Sequence, residues 1–205
     1  MLKGVILDYG GVFTDTRPRE AVMRRCEEAL GLAEGELTTL LFAGEHWRAV
    51  STGRISADAY WQQVHEHLGQ PLPHELAPFK HNPFAYERLN GRMVKLAQRL
   101  HRRYTTALLS NATLLLERLL SDNGLTALFD VVVNSARVGL RKPDPEIFAL
   151  TLRQMGLLPG ECLFVDDKER NTAVAQALGM QVVVFRSAAH LMRRLSEIES
   201  QAHLA

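Results

Sequence analysis

The sequence predicts an α/β fold in which a parallel sheet is covered by helices on both faces and a block of helices is inserted. The apolar run Val5–Leu7 is too short for a helix and is typical of a fully buried strand. From Tyr104 onward, apolar strands alternate with helical segments, which is typical of parallel sheets joined by helical crossovers. Between these parts, roughly seventy residues after Asp15 are helical in pattern, whereas an ordinary strand-to-helix loop has ~2–6 residues.

The inserted block is predicted to contain several helices. Apolar spacing over residues 21–30 indicates a helix that ends at Gly31, and residues 37–41 indicate a second. Another helix begins after Ser56, a good N-cap, and ends at Gly69. Prolines then interrupt the chain until a longer helix runs from about residue 89 to residue 100. We therefore predict an inserted cap domain at residues 16–90 and a core domain at residues 1–15 and 91–205.

The remaining elements follow in strand and helix order. After Val5–Leu7, the predicted strands are Tyr104–Leu109, Phe129–Val133, Cys162–Val165 and Gln181–Phe185. The predicted helices run from about Ala112 to Gly124, through Ile147 to Gly156, from Asn171 to Leu178, and behind the last strand. This rhythm places the carboxyl ends of all five strands along one edge of a sheet.

Composition narrows the range of functions. The 205 residues include 24 basic and 23 acidic side chains, a balance that gives no reason to expect a nucleic acid or an anionic membrane as partner. No apolar run approaches the ~20 residues of a membrane span, and the N-terminus leads directly into a strand, so we expect a cytoplasmic protein. Cys26 and Cys162 are expected to be reduced core residues. The sequence leaves open whether the protein is a monomer or a homodimer.

Polar residues follow four of the predicted strands and should meet at one edge of the sheet. They are Asp8, Ser110 with Asn111, Lys142, and Asp166 with Asp167. Asp8 enters a turn at Gly10–Gly11, where glycine permits close approach of a ligand to the backbone. Taken singly, each could be a solvated strand end, but together they form an anion and metal site.

Phosphoryl transfer is the chemistry that suits these groups, because it requires nucleophilic attack and neutralisation of charge. We predict that Asp8 attacks phosphorus to give an aspartyl-phosphate. Mg²⁺, which prefers oxygen ligands, would lie between Asp8, the main-chain oxygen of Gly10 and the pair Asp166 and Asp167. Ser110, Asn111 and the N–H groups of the following helix would bind phosphate, and Lys142 would neutralise charge on the phosphoryl group or on Asp8.

These motifs resemble those of the haloacid dehalogenase-like hydrolases. The matching segments are Asp8-x-Gly-Gly-Val, Leu-Leu-Ser110-Asn111, Lys142-Pro-Asp-Pro-x-Ile-Phe and Phe-Val-Asp166-Asp167-x-x-x-Asn171. Their order and spacing resemble the four motifs of the superfamily, and the inserted helices resemble its first class of cap. The resemblance implies a Mg²⁺-dependent phosphatase on a Rossmann-like sheet of order 5-4-1-2-3, with Asp8 as nucleophile and a cap that controls substrate entry.

One position departs from the pattern. Most phosphatases of that superfamily have a second Asp two residues after the nucleophile as general acid and base, and this position is Gly10 here. Such a group is typically worth ~10²–10⁴ in rate. The loss is tolerable when the leaving group needs no proton, as in an anomeric sugar phosphate or an acyl phosphate. Asp15 or a cap residue is a candidate to activate water, although Asp15 can equally cap the first cap helix.

Three functions fit these motifs to different degrees. A phosphatase acting on a small phosphorylated metabolite, with sugar phosphates favoured, accounts for the metal and phosphate positions. A non-catalytic protein that binds a phosphorylated ligand or a protein partner would account for Gly10. A 2-haloacid dehalogenase is disfavoured, because the superfamily's dehalogenases have Tyr at the position of Gly10 and Tyr9 lies one residue too early. Arg48 and Arg54 in the cap are further candidates to meet a substrate anion, and Asn171 is either an N-cap or a residue that orients Asp167.

Overall fold

The structure is a computed structural model that describes residues 1–202. The strands of this range are β1 (Gly4–Leu7), β2 (Thr14–Asp15), β3 (Arg88–Leu89), β4 (Thr105–Ser110), β5 (Val131–Asn134), β6 (Cys162–Asp166) and β7 (Gln181–Val184). Five of them form a parallel sheet of order β5-β4-β1-β6-β7. Counted along the chain, this is the predicted order 5-4-1-2-3. The predicted α/β fold is confirmed.

Helices cover both faces of the sheet and form the inserted block. They are α1 (Arg17–Leu30), α2 (Glu36–Phe42), α3 (Glu45–Ser51), α4 (Ala57–Leu68), α5 (Gly91–His101), α6 (Leu116–Asp122), α7 (Ser135–Val138), α8 (Pro145–Met155), α9 (Glu169–Ala177) and α10 (Ala188–Ala202). The sequence patterns missed α3 and α7, which have seven and four residues and are too short for a clear apolar period. In the described part of the chain, none of the helices has the length and apolar character of a membrane span.

Alternation along β1 explains why the sheet is covered on both sides. Val5 and Leu7 belong to one buried apolar cluster together with side chains of α5 and α10. Ile6, which points to the opposite face, belongs to a second cluster that includes Phe148 of α8. Successive residues of a strand point to opposite faces, so an uninterrupted apolar run requires an apolar layer on each side.

The inserted helices have an apolar core of their own. The third cluster is built from side chains of α1 to α4 and the 3₁₀ segment His74–Lys80. As predicted, Ser56 caps α4, because its hydroxyl accepts a hydrogen bond of 3.1 Å from the N–H of Ala59. The division into a cap at residues 16–90 and a core at residues 1–15 and 91–205 stays a prediction.

Two predicted helix starts differ from the structure. The helix expected from residue 89 begins at Gly91, because Arg88 and Leu89 pair with Asp15 and Thr14 in an antiparallel ribbon. The helix expected from Ala112 begins only at Leu116. The N–H of Ala112 is instead bound at 3.0 Å by the hydroxyl of Ser135. The N-terminus of α6 is therefore displaced along the chain from Ser110, which overturns the expectation that helix N–H groups lie directly behind that serine.

Candidate active site

Three carboxylates meet at the carboxyl edge of the sheet. Asp8 directly follows β1, and its N–H continues the ladder to the carbonyl of Val165 at 3.0 Å. Asp166 ends β6, and Asp167 follows it. Each of the three carboxylates offers an oxygen that lies within 4.8 Å of the other two. The structure thus brings together the three side chains that the sequence predicted as metal ligands.

Lys142 lies between two of these carboxylates. Its Nζ is 2.8 Å from Oδ1 of Asp8 and 2.7 Å from Oδ2 of Asp166, and it also donates to the carbonyl of Leu109 at 2.8 Å. The side chains of Lys142 and Asp166 are 1% and 0% exposed, so this charge is neutralised within the protein and not by water. The predicted lysine is therefore held against the predicted nucleophile.

Asn111 fixes the backbone that carries this lysine. Its Oδ1 accepts from the N–H of Lys142 at 2.8 Å, and its Nδ2 donates to the carbonyl of the same residue at 2.8 Å. Both amide atoms are thereby used inside the protein. Asn111 lines the site cavity beside Ser110, and the role of these two residues in phosphate binding stays a prediction.

Asn171 orients Asp166 and not Asp167. Its Nδ2 lies 3.0 Å and 2.9 Å from the two carboxylate oxygens of Asp166, and the N–H of Lys168 donates to Oδ1 of the same group at 2.9 Å. The N-cap of α9 is Lys168, so the capping interpretation of Asn171 is also wrong. The spacing Asp166-x-x-x-x-Asn171 indicated an orienting residue, but only the fold shows which carboxylate it holds.

The charges around these carboxylates leave the site short of positive charge. Burial raises the pKa of Asp8 to about 6, although the ammonium group of Lys142 acts in the opposite direction. Burial also raises the pKa of Asp167. Burial acts to raise the pKa of Asp166 as well, but Lys142 together with the hydrogen bonds from Lys168 and Asn171 outweighs it, so that the pKa of Asp166 is lowered. A further cation beside Asp8 and Asp167 would favour their ionised forms.

The arrangement fits a magnesium ion. Oδ1 of Asp167 is buried and has no hydrogen-bond partner, which leaves a carboxylate oxygen free to coordinate. Gly11 has a φ of +77°, and a Cβ built on it would lie 2.6 Å from Oδ2 of Asp167. Only glycine allows Asp167 to lie this close to the turn. With carboxylate oxygens and the predicted carbonyl of Gly10 as the donor set, the site has the hard ligands that Mg²⁺ prefers.

A cavity of about 180 Å³ opens above these groups. The sheet edge contributes its floor, including Asp8, Ser110 and Lys142, and Phe42 and Trp47 of the inserted helices lie on the other side. The sequence did not identify Arg141 and Arg170, which also line the cavity. Arg141 directly precedes Lys142, and this adjacency was the available signal.

The position of the missing carboxylate is occupied by a ring. A Cβ built on Gly10 would lie 3.2 Å from Cε1 of Phe84, and the Phe84 ring meets the Tyr9 ring edge to face with centroids 4.7 Å apart. Phe84 lies within the range predicted for the cap, residues 16–90, but it packs against the cluster of the sheet domain and lines the site. There is therefore no acid at position 10, and Gly10 faces an aromatic surface.

Asp15 lies outside the cavity that contains Asp8. It lines an open groove of about 1080 Å³ beside β2 and β3, which adjoins the site because Asp167 lines both, but Asp8 and Lys142 are not part of its lining. Its Oδ1 accepts from the N–H of Arg17 at 3.2 Å, and the guanidinium of that arginine holds the pKa of Asp15 to about 2. This bond satisfies the first N–H of α1, but the N-cap of that helix is Thr16 and not Asp15. The role of Asp15 as a base stays a prediction.

Comparison with known proteins agrees with the fold and the motifs. The family model of the haloacid dehalogenase-like hydrolases matches residues 2–179. A D-ribitol-5-phosphate phosphatase of Bacteroides thetaiotaomicron is 27% identical over 188 residues, which cover 88% of this chain and 90% of that protein. A sesquiterpene phosphatase of Aspergillus oryzae is 28% identical over 180 residues and covers 87% of each chain.

A solved structure shows the same fold. It is a family enzyme of Bacteroides thetaiotaomicron in complex with magnesium and inorganic phosphate, with a TM-score of 0.71 and 20% identity. The alignment covers 91% of this chain and 95% of that chain. The match extends over both the sheet and the inserted helices.

Proposed function

Because this chain belongs to the haloacid dehalogenase-like hydrolases, we propose that it is a Mg²⁺-dependent phosphatase of a small phosphorylated metabolite that reacts through an aspartyl-phosphate on Asp8. The observation that carries the proposal is the meeting of Asp8, Asp166 and Asp167 within 4.8 Å, with the Lys142 ammonium 2.8 Å from Asp8. Two similar proteins named as phosphatases over nearly their whole length support the same class of reaction. A sugar phosphate is the favoured substrate, since one of these relatives is named for ribitol 5-phosphate.

Each step follows from the groups at the site. A carboxylate oxygen of Asp8 forms a bond to phosphorus while the bond from phosphorus to the ester oxygen breaks. Lys142 offsets negative charge next to the attacking oxygen, and Asn111 holds the lysine in position. Water then attacks phosphorus and the bond from phosphorus to the Asp8 oxygen breaks, which gives inorganic phosphate and the free Asp8 carboxylate, while the proton of the water passes to solvent. Mg²⁺, held by Asp8, Asp167 and their neighbours, would supply positive charge to the phosphoryl oxygens.

The departing oxygen receives no proton from Gly10. The structure supplies an aromatic ring at this position instead of a carboxylate. We therefore expect good leaving groups to react faster than simple alkyl phosphates, because a poor leaving group depends on general acid catalysis worth ~10²–10⁴ in rate.

Phosphate release tests the proposal. The substrates are sugar phosphates, nucleotides, acyl phosphates and p-nitrophenyl phosphate, assayed with Mg²⁺ and with a chelator. Asp8→Asn should lower turnover by about 10⁴-fold or more, whereas Asp122→Asn on the exposed surface of α6 should leave it unchanged. Turnover that survives Asp8→Asn would refute the aspartyl-phosphate. Asp15→Asn decides the remaining prediction for that residue, since unchanged turnover would exclude it as the base.

A second candidate is a protein that binds a phosphorylated ligand without turning it over. The observation in its favour is Gly10, where the acid and base group is missing. Trapping of beryllofluoride at Asp8 in the presence of Mg²⁺, together with phosphate release, would support the enzyme. Tight binding of a phosphate ester by folded protein, with no release and no trapping, would support the binding protein.

A further inference from the structure

Four arginines gather where the inserted helices meet the sheet domain. Arg48 lies on α3 and Arg54 follows its C-terminal end, while Arg141 precedes Lys142 and Arg170 lies on α9. The pKa of Arg141 is lowered by burial and by the nearby positive charges of the other three residues. We call these four residues the arginine cluster.

The cluster forms no ion pair within the part of the chain that the structure describes. Among the ion pairs of residues 1–202, none includes any of its four members. Nε of Arg141 is buried and has no hydrogen-bond partner. Gathering like charges and burying a donor without an acceptor both cost free energy. An anionic ligand would offset both costs.

A tight contact between the two parts of the molecule builds the cluster. The hydroxyl of Ser135, at the start of α7, donates to the carbonyl of Ser51 at the end of α3 with a distance of 2.5 Å. Gly53 has a φ of +67°, and a Cβ built on it would lie 2.4 Å from the carbonyl oxygen of Ala136. This close approach brings the segment between Arg48 and Arg54 against α7, three residues before Arg141.

Two members of the cluster face the same cavity as the nucleophile. Arg141 and Arg170 line it together with Asp8 and Lys142. The cavity of about 180 Å³ would hold about six water molecules at ~30 Å³ each, so it suits a small metabolite. A ligand whose phosphoryl group lies at Asp8 would therefore share its cavity with Arg141 and Arg170.

We propose that the arginine cluster binds a second anionic group of the substrate, a carboxylate or a phosphate, so that the enzyme prefers small phosphate esters with two anionic groups. Phosphorylated sugar acids and sugar bisphosphates belong to this class. Guanidinium groups form paired hydrogen bonds with both oxyanions. The proposal rests on the proposed phosphatase function and adds the substrate class.

Matched substrate pairs test the preference. 3-Phosphoglycerate is compared with glycerol 3-phosphate, and fructose 1,6-bisphosphate with fructose 6-phosphate, so that the two pairs distinguish a carboxylate from a phosphate. We expect kcat/KM to be about 10–100-fold higher for the member with the second anionic group in at least one pair, which is the range of a hydrogen bond to a charged group. Equal values within both pairs would overturn the proposal.

Variants locate the source of the preference. Arg141→Gln should reduce the ratio of the two kcat/KM values to within about 3-fold. The main cause should be a higher KM for the substrate with two anionic groups, since that variant loses a charged hydrogen bond. Arg170→Gln, on the exposed surface of the mouth, serves as a second variant in case Arg141→Gln folds poorly. Arg102→Gln, an exposed arginine at the end of α5, is the control and should keep the full preference. A preference that survives both cluster variants would contradict the assignment.

Direct binding separates this inference from the proposed function. Calorimetry with Asp8→Asn protein measures the affinity for 3-phosphoglycerate, glycerol 3-phosphate and both fructose phosphates without turnover. Suppose that a ligand with two anionic groups binds more tightly than its partner with one, and that this difference is lost in the double variant Asp8→Asn with Arg141→Gln. This result supports the anion site even when the wild type releases no phosphate. Equal or undetectable binding of all four ligands refutes the site, and phosphate release from p-nitrophenyl phosphate would then leave the phosphatase function intact.

Discussion

The two sides of the cavity treat charge in opposite ways. On the sheet side, Lys142 is 2.8 Å from Asp8 and 2.7 Å from Asp166, and these groups are buried and paired. On the side where the inserted helices meet the sheet domain, Arg48 and Arg54 lie near Arg141 without a carboxylate partner. A buried network of paired charges has one geometry, whereas cations that form no ion pair are available to bind an anionic ligand. Under our two proposals, the sheet edge performs the chemistry and the arginine cluster selects the substrate.

The largest effect should come from breaking the paired side. Lys142→Met removes a cation between two buried carboxylates, and we expect it to lower the free energy of unfolding by about 3–5 kcal/mol. Arg54→Gln removes an exposed, unpaired cation and should change stability by less than about 0.5 kcal/mol. Urea unfolding of both variants measures the difference. Equal losses would show that the two sides do not differ in the way described.

Restoring an acid at Gly10 tests the chemical gap on the sheet side. Gly10→Asp together with Phe84→Ala should raise kcat for glycerol 3-phosphate by up to about 10²-fold, which is the lower end of the rate gain that a general acid provides. Gly10→Asp alone should gain less, because its Cβ would lie 3.2 Å from the Phe84 ring. The rate for p-nitrophenyl phosphate should change little, since its leaving group needs less protonation. An equal gain in kcat for both substrates would contradict the interpretation that a general acid is missing at position 10.

A pair of glycines isolates the metal contribution. Gly11→Ala would place a Cβ 2.6 Å from the Asp167 carboxylate, and displacing that group should weaken Mg²⁺ binding by about 10–100-fold. Gly31→Ala has a similar φ of +69° but nothing within 4 Å of the new Cβ. Both variants should lose about 1 kcal/mol of stability from the left-handed backbone. Calorimetric titration with Mg²⁺ should therefore distinguish them, and equal affinities would argue against Asp167 as a ligand.

The smallest effect is expected at the contact between the two parts. Ser135→Ala removes the hydrogen bond to the carbonyl of Ser51 and also the acceptor of the Ala112 N–H, and it should lower the free energy of unfolding by about 1–2 kcal/mol. Because this contact brings Arg48 and Arg54 towards Arg141, the variant should also reduce the preference for substrates with two anionic groups. Thr172→Ala, which loses the hydroxyl bond to Glu169 within α9, is a control of similar size. A preference that is unchanged in Ser135→Ala would separate the contact from substrate selection.

Local sequence patterns predicted the strands of the sheet and the polar residues that follow them. The apolar run Val5–Leu7 had to be a buried strand, and a carboxylate directly after it had to lie at the sheet edge. The same reasoning placed Lys142 and Asp166 at that edge. It failed for short elements such as α3 and α7, and for Asn171, whose partner is Asp166, because hydrogen-bond partners across a loop leave no period in the sequence.

The sequence by itself determined the parallel sheet, the three carboxylates and Lys142, since strand periodicity and motif spacing are local properties that do not depend on the arrangement of the inserted helices. The order of the strands followed from the resemblance to the family. The tertiary structure alone decided what the cavity presents to a substrate. It placed Phe84 over Gly10, directed Asp15 to another groove and brought Arg48 and Arg54 near Arg141. These relations join residues far apart in the chain, and they depend on how two separate apolar cores pack against each other.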